Sequence, residues 1–111
     1  MIKIEIKSGK EVVETITKVL HKKGITEGSI VSIIGAVDEC AISTMPKDDA
    51  KKDILTEYQE PLEMSGMGEI VDGKPHIHAT LGREGNTAIF GHLRWAKVKH
   101  WFVHVYIRPL D

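Results

Sequence analysis

The chain has 111 residues, 41% of them hydrophobic and 28% charged. That is enough for one domain with a packed core and no disulfide staples, and it excludes a disordered or fibrous chain. A formal net charge of −1, with only Arg83, Arg94 and Arg108 as arginines, gives no long-range field for nucleic acid or an anionic membrane and a poor set of base readers.

Residues 2–7 alternate Ile2, Ile4 and Ile6 against Lys3, Glu5 and Lys7, which predicts a half-buried strand. Ser8 and Glu11 stand at capping-box spacing. Val12, Val13, Ile16, Val19 and Leu20 then recur at helical spacing, and Gly24 can take a left-handed cap after Lys22 and Lys23. One helix over about 9–23 is expected. Residues 29–42 read as a strand kinked near Gly35. Residues 45–53 read as a charged, solvated loop. Residues 54–70 hold one long strand or two short ones, interrupted by Pro61 and Gly66. Asp72-Gly73 is a turn signal. Strands follow at about 75–82, 87–94 and 98–107. In the last, Trp101, Val103, Val105 and Ile107 form the expected core stripe. His100, Phe102, His104 and Tyr106 form the opposite face, aromatic enough for a subunit interface. The order is β-α followed by mostly antiparallel strands, hence α+β.

The alternating N-terminus is too short for a secretory apolar region, and no run of about 18 apolar residues exists. No membrane association is expected. The lone Cys40 suits a small core side chain and a reducing compartment, and the cytoplasm is the expected location.

The stretch P-H-I-H-A-T-L-G-R-E-G-N-T-A-I-F-G-H-L-R carries the chemistry. With Glu84-Gly85-Asn86 as the loop, Leu81 faces Ile89, Thr80 faces Phe90, and His78 faces His92. Ile77, Ala79, Leu81, Ile89 and Leu93 then share the core face. His76, His78, Thr80, Phe90, His92 and Arg94 share the other. Opposed residues have Cβ atoms about 4.5–5.5 Å apart, so three imidazoles there can converge on one ion. Three protein ligands with an open position is the catalytic zinc pattern, though other borderline metals accept imidazole. A two-residue loop, Glu84-Gly85, would instead send His92 to the core face. The plain alternative is a wet polar strand face. His100 and His104, four apart on a strand, are too far apart to share an ion.

Gly35–Val37 (G-A-V), Glu60–Ile70 (E-P-L-E-M-S-G-M-G-E-I), Asp72–His78 (D-G-K-P-H-I-H) and Gly91–Leu93 (G-H-L) together resemble the PPC domain. That is the plant and prokaryote conserved domain, found in plant AT-hook nuclear-localised proteins and in stand-alone bacterial and archaeal chains. The resemblance spans nearly the whole chain, residues 1–111 as one domain. It implies one helix on an antiparallel sheet, assembled as a homotrimer, with a DNA-associated or regulatory role. It extends to acetolactate decarboxylase, whose metal site uses H-x-H plus H, and this implies His76, His78 and His92 as metal ligands. The chain has no R-G-R-P hook, and its Y-Q-E-P-L-E-M differs from the plant G-R-F-E-I-L segment.

Two functional classes follow. One is a trimeric DNA-associated module that gathers Lys3, Lys97 and Lys99 on one surface. The other is a small metal-dependent enzyme of lyase or hydrolase type. In it the three histidines hold zinc or a similar divalent ion, Arg94 binds a carboxylate of a small-molecule ligand, and Glu63 or Glu69 serves as acid–base. No organic cofactor loop is apparent; the glycines of G-M-G-E fit a turn better than a phosphate cradle.

Overall fold

The computed structural model describes residues 1–110. Strand β1 (Ile2–Ile6) leads into helix α1 (Val12–Lys23), and seven strands follow. These are β2 (Gly28–Val37), β3 (Glu39–Thr44), β4 (Ile54–Tyr58), β5 (Leu62–Val71), β6 (Lys74–Arg83), β7 (Thr87–Lys97) and β8 (Val103–Pro109). They form one eight-stranded sheet in the order β1-β8-β2-β5-β6-β7-β3-β4, with every pairing antiparallel. The α+β expectation holds.

The helix covers one face. Its Val12, Ile16 and Leu20 are fully buried against the alternate residues of the strands, among them Ile77, Ala79, Leu81 and Leu93. Burying three such side chains contributes roughly 5–9 kcal/mol by transfer free energy. The other face carries no helix. Val31, Ile34, Leu55, Met67 and Phe90 stand exposed on it.

The helix begins later than its spacing predicts, and its cap is Glu11 rather than Ser8. The Glu11 carboxylate accepts from the Val13 and Glu14 amides. It also accepts from the Ala96 amide of β7 at 2.8 Å, which ties the helix start to the sheet. A carboxylate reaching both the first turn and a strand outcompetes a hydroxyl. The Ser8 hydroxyl donates to the Lys99 carbonyl instead. The C-terminal reading holds: Gly24 has φ 67° and caps the helix.

Residues 29–42 are not one kinked strand. The chain breaks at Asp38, and β2 and β3 sit apart with β5, β6 and β7 between them. Gly35 is a close approach rather than a bulge, since a Cβ there would collide with the Phe102 carbonyl. The register shift of β2 lies between Ile30 and Ile33. The 54–70 segment is two strands. Gly66 and Gly68 lie inside β5 rather than in a turn, where the carbonyls of His78 and His76 pass too close for a side chain. The Asp72-Gly73 turn forms, with both residues at positive φ. The last strand begins at Val103, not 98, so Trp101 lies outside it and is 67% exposed. Residues 45–53 are irregular, as expected. Among the described residues, no helix is long and apolar enough to cross a membrane.

Candidate metal centre

The β6–β7 hairpin turns through Glu84, Gly85 and Asn86. Gly85 and Asn86 both adopt positive φ, at 84° and 66°. This is the three-residue loop, so His78 faces His92 and Thr80 faces Phe90. The two-residue alternative is excluded. Ile77, Ala79, Leu81 and Leu93 are buried, while His76 and His78 are exposed and His92 is half-buried.

One ring nitrogen from each of His76, His78 and His92 lies within 4.8 Å of the others. The ring centroids are 5.1 Å apart for His76–His78, 4.9 Å for His76–His92 and 6.3 Å for His78–His92. A tetrahedral ion with bonds of about 2.0–2.1 Å separates its ligand atoms by roughly 3.3–3.4 Å. The three donors thus lie within about 1.5 Å of the spacing that such an ion requires. Among the described residues none of the rings is engaged in a hydrogen bond, so each donor is available.

Burial, followed by the positive charges of Arg94, His76 and His78, lowers the His92 pKa, with Asp53 opposing. The neutral imidazole, the form that binds metal, is thereby favoured. Arg94 is not poised for a substrate carboxylate. Its Nε donates to Ser43 Oγ at 3.0 Å, and its guanidinium is paired with Asp53. Ser43 is 3% exposed and lies directly opposite His92 in the β3–β7 register, with its hydroxyl taken up by Arg94. Glu69 stands opposite His76 in the β5–β6 register. Glu63 pairs with Gly82, four positions up β6 from His78. That is about 13 Å along the strand. The β6–β7 hairpin thus brings the three histidines together, and the β5–β6 register sets Glu69 beside His76 and leaves Glu63 apart.

The sequence reading missed Ser43 and Asp53. Both come from segments 41 or more residues before Arg94, and no periodicity links them to it. Alternation along 98–107 puts His100 on a strand face. It lies in the loop before β8, its Nδ1 2.6 Å from Asp38 Oδ1. Cys40 is fully buried, as expected, and burial followed by the charge of Glu60 pushes its thiol up to about 11.

The profile of the Plants and Prokaryotes Conserved (PCC) domain matches residues 1–111. The chain belongs to the PCC family. No curated protein matches it. Among solved structures, the PCC chain is similar to the metal-containing protein from Archaeoglobus fulgidus. The two share 35% identity with TM-score 0.82, over 99% of this chain and 79% of that one. The plant- and prokaryote-conserved protein from Pyrococcus horikoshii matches at 23% identity and TM-score 0.79, over 99% and 80%. A candidate DNA-binding protein from Ralstonia eutropha matches at 20% identity and TM-score 0.85, over 98% and 77%. The last two show the shared fold alone.

Proposed function

We propose that this PCC protein binds one divalent transition metal per chain, with zinc favoured, through His76, His78 and His92, and that it assembles as a homotrimer. The observation that carries the reading is the convergence of three ring nitrogens within 4.8 Å on one face of a single hairpin. The 35% identical relative from Archaeoglobus fulgidus, named as metal-containing, supports it. So does the chemistry of the donors, since neutral imidazole suits zinc and its neighbours in the transition series. The trimer rests on the family resemblance and on the uncovered sheet face, where Val31, Ile34, Met67 and Phe90 stand exposed, Met67 opposite His78 and Phe90 against its ring.

Three protein donors leave a coordination position open, which is the arrangement of a catalytic rather than a closed structural site. A metal held there supplies Lewis-acid polarisation of a bound carbonyl or acidification of bound water. Glu69, opposite His76 in the strand register, is the carboxylate that would hold or move a proton there. Arg94 stands two residues from His92 with its guanidinium held by Ser43 and Asp53, so it shapes the edge of the site and is not free to bind an anionic group. This makes a small metal-dependent enzyme the activity the site is best fitted to.

A DNA-associated role is the second reading, favoured by the names of two structural neighbours, from Ralstonia eutropha and Bacteroides thetaiotaomicron. Two of its three arginines are occupied, Arg83 by Glu60 and Arg94 by Asp53. Retention on heparin that falls steeply with salt supports this reading, and no retention at low salt removes it.

The deciding experiment is metal content by inductively coupled plasma mass spectrometry of wild type, His78→Ala and His92→Ala. About one equivalent in wild type and none in either variant is expected. An empty wild type that stays empty after zinc addition overturns the metal centre and leaves three wet histidines on a strand face.

A further inference from the structure

At the far end of the same strands lies a second site, independent of the histidine cluster. A cleft of about 1380 Å³ opens between the end of β2, the start of β5, the β6–β7 loop and the segment 100–102. Its aromatic wall is Trp101, 67% exposed, and Phe102, 44% exposed.

An indole this exposed would ordinarily sit on a loose loop. This one is held from both sides. Asp38 Oδ2 accepts from the Lys99 amide at 2.6 Å and from the His100 amide at 3.1 Å, while Oδ1 meets His100 Nδ1. The Ala36 amide donates to the Phe102 carbonyl at 3.0 Å, and the Ser8 hydroxyl to the Lys99 carbonyl at 2.5 Å. Gly35 lets the segment approach β2 where a side chain would block it. Four hydrogen bonds therefore fix the backbone on either side of Trp101, and a fifth holds the His100 ring, so the segment that carries the indole to the wall of the cleft is itself ordered.

The charges select the ligand. The lining carries four carboxylates, Asp38, Glu60, Glu63 and Glu84, against the single guanidinium of Arg83. Asp38 is committed to the loop. Glu60 is bound bidentately by Arg83 at 2.7 and 3.1 Å, and Arg83 also lies over the Tyr58 ring. Glu63 and Glu84 have no ion-pair partner among the described residues. A net-negative cleft disfavours an anion, and an exposed indole face attracts a cation through its quadrupole.

We propose that this cleft binds a small organic cation of the ammonium or guanidinium class, seated against Trp101 and Phe102 with its charge met by Glu63 and Glu84. A di- or polyamine fits best, because the two open carboxylates lie on separate elements, one at the start of β5 and one in the β6–β7 loop. The aromatic pair engages one cationic group and the carboxylates engage the rest.

The test is equilibrium binding of spermidine and agmatine, by calorimetry and tryptophan fluorescence. It is run in the His78→Ala background so that amines cannot read out a metal. Saturable binding is expected, with quenching of tryptophan emission and no binding of neutral 1,4-butanediol. Trp101→Leu should weaken binding at least about tenfold and abolish the quench, although Trp95 remains. The Glu63→Gln/Glu84→Gln double variant should weaken it by a similar factor while leaving thermal unfolding unchanged. Binding that is absent, that survives both variants, or that magnesium chloride at equal ionic strength displaces completely overturns the proposal, the last outcome meaning unspecific counter-ion attraction.

Discussion

The two ends of β6 place histidines in opposite circumstances. Near its start, His76 and His78 join His92 with ring nitrogens within 4.8 Å of one another and, among the described residues, no hydrogen-bond partner. Across the far end, His100 is clamped by Asp38, and that carboxylate also holds two loop amides. The first arrangement leaves donors open to an ion from outside. The second consumes one nitrogen to fix a loop. Residue type is the same in both; what the ring nitrogens meet decides the role.

The comparison is most sharply tested at the cluster. His78→Ala and His92→Ala should each lower zinc affinity by about a hundredfold or more, since even the outer partners of zinc ligands are worth 10–100-fold. The metal-free stability should change by less than about 0.5 kcal/mol, as at other surface sites. Competition with a chelating dye and metal-free thermal unfolding measure both. A large loss of metal-free stability would mean that these histidines pack rather than wait for an ion.

Asp38→Asn should behave the other way. It should cost about 1–3 kcal/mol, because backbone amides lose their charged acceptor, and leave zinc affinity unaltered. The pH dependence has a definite sign. Burial raises the Asp38 pKa, but the hydrogen bonds from His100 and Lys99 outweigh it and leave it lowered. Its contribution is therefore present above the ordinary carboxylate pKa and is lost as pH falls through the lowered folded value. Urea unfolding of wild type and Asp38→Asn should converge in strongly acidic solution and diverge toward neutral pH.

The mildest change concerns charge beside the cluster. Arg94→Met removes a positive charge that repels an incoming divalent ion and frees Asp53, so in alkaline solution, where protons no longer compete for His92, zinc should bind a few-fold more tightly. Stability should fall by less than about 1 kcal/mol, since the pair with Asp53 is largely exposed. Weaker zinc binding in this variant would make Arg94 a positioning residue whose bond to Ser43 matters more than its charge. A control lies in the core: Cys40, buried and with its thiol pushed up to about 11, should resist thiol reagents in the folded protein.

The hairpin and its histidines were legible because two local signals agreed. Period-2 alternation assigned the faces, and Gly85-Asn86 supplied the positive φ that a three-residue loop needs. The helix stripe and the Gly24 cap were equally local. What escaped depends on distant partners. Glu11 became the cap because β7 offers it the Ala96 amide, 85 residues away. Trp101 read as core because alternation ran backwards from Val103. The Asp38 clamp, 61 residues earlier in sequence, ends that alternation and turns the indole outward. The strand order is also invisible locally, since β2 and β3 follow in sequence yet lie three strands apart. Gly66 and Gly68 looked like punctuation and are instead the room that β5 leaves for the carbonyls of the histidine strand.

All three candidate ligands belong to one hairpin, and its other face alone is packed against the core. Nothing that holds the domain together passes through them. The three histidines can therefore be exchanged one at a time without touching what joins sheet and helix, so whatever they bind is separable from the architecture that presents them.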